Sequence, residues 1–126
     1  MYLKKLLLAL LLVVPGTLPL ASLAEEPDAA VQREIDHLLG FVHASTCDFY
    51  RNGKWYPASE ALEHIRMKYR YVQKRGLVKS AEDFINYAAS ESSISGKPYK
   101  VRCGDAKEIL SSDWLLLELR NFRNTR

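Results

Sequence analysis

The sequence predicts a single α+β domain of about four helices with a small three-stranded antiparallel sheet, made of a hairpin plus a later strand. Three observations lead there. Apolar residues recur at helical spacing in separate stretches of the chain. Asn52-Gly53 stands between two aromatic-rich runs, the strongest short hairpin signal, since both turn residues must accept positive φ. Tyr99 to Cys103 alternates like a strand with one polar face.

Before the domain comes a segment that reads as an export signal. Lys4 and Lys5 precede an unbroken apolar run, Leu6 to Val14, and Pro15-Gly16 ends it ahead of Ser22-Leu23-Ala24. That order of charged, apolar and small residues predicts a signal peptide over 1–24, cleaved near Ala24. The run is too short to span a bilayer, for which about 20 apolar residues are needed. No cysteine lies near the cleavage site, and nothing after Ala24 is long and apolar enough to hold the protein in a membrane. The expected location is the periplasm or the cell exterior, with no stable membrane anchoring. Of the 126 residues, 25–126 then form the one domain. Lys4 and Lys5 leave with the signal, so the formal charge of +3 shrinks towards neutrality. A nucleic-acid partner is not expected of so balanced a chain.

Each element has its own justification. Asp28 is placed to cap a helix that carries Val31, Ile35, Leu38, Leu39 and Val42 on one face and runs to about Ala44. Cys47 to Tyr50 and Lys54 to Tyr56 flank the turn of the hairpin. Pro57 starts a second helix, with Ala58, Ala61, Leu62, Ile65, Tyr69 and Val72 inward, ended by Gly76 after the basic pair Lys74-Arg75. Ser80-Ala81-Glu82-Asp83 has the form of a capping box and opens a short third helix. Ser90 to Pro98 is rich in serine and reads as a loop. Ser112 is placed to cap a last helix from Asp113, with Trp114, Leu115, Leu117, Leu119 and Phe122 apolar.

In an oxidising compartment, two cysteines without a Cys-x-x-Cys or Cys-x-x-His pairing point to one disulfide, Cys47 to Cys103, and not to a metal site. His37 and His43 share a helix but lie six residues apart, too far round to hold one metal together. No metal or cofactor is expected.

On the second helix Glu60, His64 and Lys68 fall along one stripe, and Arg66 borders the apolar face on the other side. Such a row serves proton transfer only if a pocket fixes the proton's target. Without one it is a solvated face with i, i+4 pairing. Met67 and Tyr71 on the far side predict that this helix is covered on both sides, by the last helix in preference to a partner. Ser92-Ser93-Ile94-Ser95-Gly96-Lys97 has the hydroxyls of a phosphate loop but not its spacing, and Gly-x-Ser-x-Gly is absent.

Ser95-Gly96-Lys97-Pro98-Tyr99 has the form S-G-x-x-Y, which resembles the loop that periplasmic C-type lysozyme inhibitors insert into the lysozyme cleft, although those inhibitors are β-barrels. More of the chain is engaged by a second resemblance. FYRNGKWY, EALEHIRMKYRY, SAEDFI and SSISGKPYKVRC together look like a family of small exported bacterial proteins catalogued as a domain of unknown function. It covers roughly Glu34 to Leu119. The resemblance implies a signal peptide and one α+β domain in the periplasm of Gram-negative bacteria, and it brings no reaction. The motif positions it carries over are His64, Arg66, Lys68, Ser93, Ser95, Gly96, Lys97, Pro98 and Tyr99.

The functional expectation is a non-enzymatic binding or interaction module. Its binding residues would be His64, Arg66, Lys68, Ser93, Ser95, Lys97 and Tyr99, with Lys97 and Lys68 or Arg66 holding an anionic group. The partner would be a periplasmic protein or an anionic cell-wall or peptide fragment. Two alternatives stand beside it. One is lysozyme inhibition through Ser95 and Tyr99. The other is a small hydrolase or transferase using His64 with Glu60 or a loop serine, which requires a concave site around His64.

Overall fold

A computed structural model describes residues 12–16 and 27–126. Most of the expected signal peptide, 1–24, lies outside the described residues, and 12–16 form neither helix nor strand.

Pro27–Ala44 form α1, which opens on the proline itself. Proline suits the first helical turn, where an N–H would have no partner to lose. Asp28 therefore lies inside the first turn and does not cap the helix. Ile35, Leu38, Leu39 and Val42 are buried, as their spacing predicts.

β1 (Asp48–Arg51) and β2 (Lys54–Pro57) form the hairpin. Its turn is only Asn52 and Gly53, at φ 50° and 84°, the two positive angles that suit a twisted two-residue hairpin. Arg51 belongs to the strand. β3 (Lys100–Arg102) and β4 (Ile109–Leu110) complete a sheet in the order β2-β1-β3-β4, antiparallel throughout. The sheet thus has four strands and not the three expected. The added strand has just two residues, both substantially exposed, so no alternation of burial marks it in the sequence. The Cys47–Cys103 disulfide ties the start of β1 to the end of β3, beside the Asp48–Arg102 pair.

α2 (Ala58–Lys74) follows β2 directly and buries Leu62, Ile65, Tyr69 and Val72. Gly76 at φ 68° ends it, and the Leu77 N–H closes back on the Val72 carbonyl at 3.2 Å, the bonding of a Schellman stop. α3 (Ala81–Ala88) is capped by Ser80, whose hydroxyl accepts from the Asp83 N–H. The Asp83 carboxylate reaches one residue further back than in a regular capping box and accepts from the Lys79 N–H. α4 (Ser111–Asn124) starts without a linker after β4, with Leu110 in the capping position. The expected start at Ser112-Asp113 is displaced because the Ser111 N–H is already bonded to the Tyr99 carbonyl at 3.0 Å.

The core is Phe84, Ile85, Leu38, Leu115, Leu119 and Val101, each almost wholly buried. Each such aliphatic or aromatic side chain contributes about 2 kcal/mol. On the inner face of the sheet Trp114 of α4 meets Phe49 edge-on at 5.6 Å and Phe41 of α1 at 4.5 Å. The outer face carries Tyr50 against Trp55, with the Arg102 guanidinium 4.1 Å over the Trp55 ring. Among the described residues no element, α4 included, covers the Met67–Tyr71 side of α2. Met67 and Tyr71 are 53% and 58% exposed, and Arg75 stacks on Tyr71 in place of a packed neighbour.

Candidate functional site

Strand periodicity places the first functional side chain. Arg51 lies two residues after Phe49, so both face the helices. Phe49 enters the core, and Arg51, at the hairpin end, meets α2, which packs back over both hairpin strands.

The Arg51 Nη1 atom lies 2.8 Å from Nδ1 of His64 and 3.1 Å from Nε2. A guanidinium can only donate, so the imidazole accepts. Nε2 is also 3.2 Å from the Tyr99 hydroxyl. Lys68 Nζ donates to the same Tyr99 oxygen at 3.1 Å and to the Glu91 carbonyl at 2.6 Å. The Tyr99 hydroxyl thus joins Lys68 to His64. Burial, then the charges of Arg51 and Lys68, hold the His64 imidazole below its ordinary value, which keeps it neutral at pH 7. Burial also pulls Lys68 down and pushes the Tyr99 phenol up.

Beside this network opens a cavity of about 400 Å³, within the roughly 300 to 1,000 Å³ typical of small-ligand sites. Phe49, Tyr56 and Ile65 give it apolar walls, and Arg51, His64, Tyr99 and Ser111 give it donors. Arg51 also lies over the Tyr56 ring at 4.8 Å. Glu60 and Glu63 of α2 line the same cavity. The Ser111 hydroxyl is fully buried and has no hydrogen-bond partner among the described residues.

The serine loop has a different occupation. Asn52 of the hairpin turn donates to the Ser92 hydroxyl at 3.0 Å and accepts from the Ser95 hydroxyl. Ser92 Oγ also receives the N–H groups of Ile94 and Ser95, and Gly96 turns the chain at φ 70°. Its hydroxyls thus close a turn.

Of the residues singled out from sequence, His64, Lys68 and Tyr99 come together. Ser95 is held by Asn52, on the loop side of the hairpin. Arg66, Ser93 and Lys97 are exposed, make no side-chain hydrogen bond among the described residues and do not line the cavity. Arg51 and Ser111 were missed. Alternation from Phe49 would have put Arg51 on the inner face, whereas nothing local signals Ser111. Among the described residues no three His, Cys, Asp or Glu side chains are grouped to hold a metal, and no helix is long and apolar enough to cross a membrane.

A family model described as a family of unknown function (DUF5329) matches residues 29–123. The uncharacterized protein YfeK of Salmonella typhimurium is 45% identical over 51 residues, which cover 40% of this chain and 41% of that protein. The match therefore spans about two fifths of the curated relative's length. No solved structure matches.

Proposed function

The chain belongs to this family of unknown function (DUF5329), and we propose that it is an exported, non-enzymatic binding module whose cavity takes the anionic group of a small organic ligand. Export rests on the composition of residues 1–24 and is consistent with the Cys47–Cys103 disulfide. The observation that carries the binding assignment is the convergence of the Arg51 guanidinium and the Tyr99 hydroxyl, both around His64, in the lining of a cavity with aromatic and aliphatic walls. A carboxylate entering there meets a fixed cation and a neutral donor, and charge-assisted bonds of that kind are about twice as strong as neutral ones. Arg51 takes the role first expected of Lys97 with Lys68 or Arg66.

The enclosed imidazole also meets the geometric requirement of the hydrolase or transferase alternative. It has no nucleophile, however. No serine hydroxyl or carboxylate is hydrogen-bonded to His64 among the described residues, and the loop hydroxyls of Ser92 and Ser95 are engaged by Asn52. Lysozyme inhibition has less support, because Tyr99 is buried under Lys68 and Ser95 is bonded to the hairpin, so neither projects as a probe.

The test is titration of the mature protein with phenylacetate and N-acetylphenylalanine, followed by the His64 ring resonances. Saturable shifts that Arg51→Gln abolishes are expected. Wild-type protein that gives no shift with either at millimolar concentration overturns the assignment.

A further inference from the structure

Two features of the cavity are not used by an anion alone. The first is Ser111. Its hydroxyl is fully buried in the cavity wall without a partner among the described residues, and a polar group left so costs about 1 to 3 kcal/mol. Its N–H is bonded to the Tyr99 carbonyl, and it lines the same cavity as Arg51. The second is the pair of carboxylates Glu60 and Glu63, contributed by the first two turns of α2. Both are exposed, and neither forms a salt bridge among the described residues.

The cavity thus carries a guanidinium and neutral donors together with two carboxylates. A simple anion would be attracted by the first and repelled by the second, and a simple cation the reverse. Only a ligand carrying both charges is matched at both places.

Resting on the assignment of the cavity as a binding site, we infer that its ligand is a zwitterionic amino compound, an amino acid or dipeptide with an apolar side chain. The carboxylate goes to Arg51 and Ser111, the ammonium to Glu60 and Glu63, and the side chain to the wall of Tyr56 and Ile65. The Ser111 hydroxyl adds a neutral donor to the carboxylate beside the guanidinium. The cavity volume of about 400 Å³ admits a ligand of this size.

Phenylalanine and leucyl-phenylalanine, each compared with its N-acetyl form and its C-terminal amide, test this by calorimetry and His64 shifts. The free forms should bind. Amidation should abolish detectable binding, and N-acetylation should weaken it about five-fold, the worth of one partly exposed ion pair. In the double variant Glu60→Gln, Glu63→Gln, whose exposed positions leave the fold untouched, the free and N-acetyl forms should bind alike. Ser111→Ala should weaken every carboxylate form and raise the melting temperature of the unliganded protein, since it deletes the unpaired hydroxyl. If N-acetyl forms bind the wild type as tightly as free ones, the zwitterion inference falls while the carboxylate site stands. If no form binds, both fall.

Discussion

The Arg51 guanidinium approaches Nδ1 of His64 at 2.8 Å, a permanent cation donating to an imidazole that must stay neutral to accept it. Burial is the larger cause of the lowered His64 value, with Arg51 and then Lys68 adding to it. As pH falls, the unfolded chain takes up this proton before the folded one does. The stability tied to His64 is complete above its ordinary value of 6.5 and is lost as pH drops through the depressed one. An NMR titration should place the His64 midpoint below 6.5, and Arg51→Gln should recover only part of the shift. His64→Gln should flatten the melting temperature between about pH 7.5 and about pH 5. A wild-type midpoint at or above the ordinary value contradicts the network.

Asn52 performs two tasks, turning the hairpin at positive φ and gripping Ser92 and Ser95. Asn52→Gly keeps the first and removes the second. Its expected cost is about 1 to 2 kcal/mol, from two side-chain hydrogen bonds. Hydrogen exchange should quicken at the Ile94, Ser95 and Lys97 amides while the β1–β2 bonds stay protected. Equal loosening of strands and loop would show that the grip is not what orders the loop.

Glu34 is the most enclosed carboxylate of the described chain, 7% exposed on α1. It accepts from Arg123 at 2.7 and 3.0 Å and from Arg126 at 2.6 Å. The Arg123 bonds hold its carboxyl below the usual range despite the opposing effect of burial. Its contribution is present above the ordinary carboxylate value and disappears as pH falls through the lowered one. Glu34→Gln should cost about 1 to 3 kcal/mol at neutral pH and shrink the difference between neutral and acid unfolding midpoints. A variant with wild-type urea midpoints at neutral pH would make the cluster energetically idle.

The disulfide closes a loop across 56 positions and so constrains a large part of the unfolded chain. Cys47→Ser with Cys103→Ser should lower stability by about 4 kcal/mol on chain-entropy grounds, a large part of the roughly 5 to 15 kcal/mol typical of a domain. Denaturant midpoints of the oxidised protein and the double variant measure it. Equal midpoints would mean that the strands β1 and β3 hold each other without the bond.

Legibility in the sequence followed the range of the interactions. Ser80 capping α3, Gly76 stopping α2 and the Asn52-Gly53 turn are each decided within a few residues, and each was readable. β4 was not, because two exposed residues acquire strand geometry only from pairing with Lys100 and Val101. The start of α4 shifted for the same reason, through the Ser111–Tyr99 bond. In the site, His64 and Lys68 were visible as one helical stripe, and their meeting with Tyr99 crosses more than thirty positions. The hydroxyls of Ser92 and Ser95 suggested a ligand loop until Asn52, some forty positions earlier, engaged them.

The two tryptophans stand on opposite faces of one sheet, Trp55 beneath Arg102 outside and Trp114 between Phe41 and Phe49 inside. They give the molecule two separate optical reporters. Emission from Trp114 follows the loss of the interior, and emission from Trp55 follows local opening of the hairpin that carries Arg51. Replacing either by phenylalanine leaves a single tryptophan, so motion of the hairpin beside the cavity can be watched in a domain that is otherwise still folded.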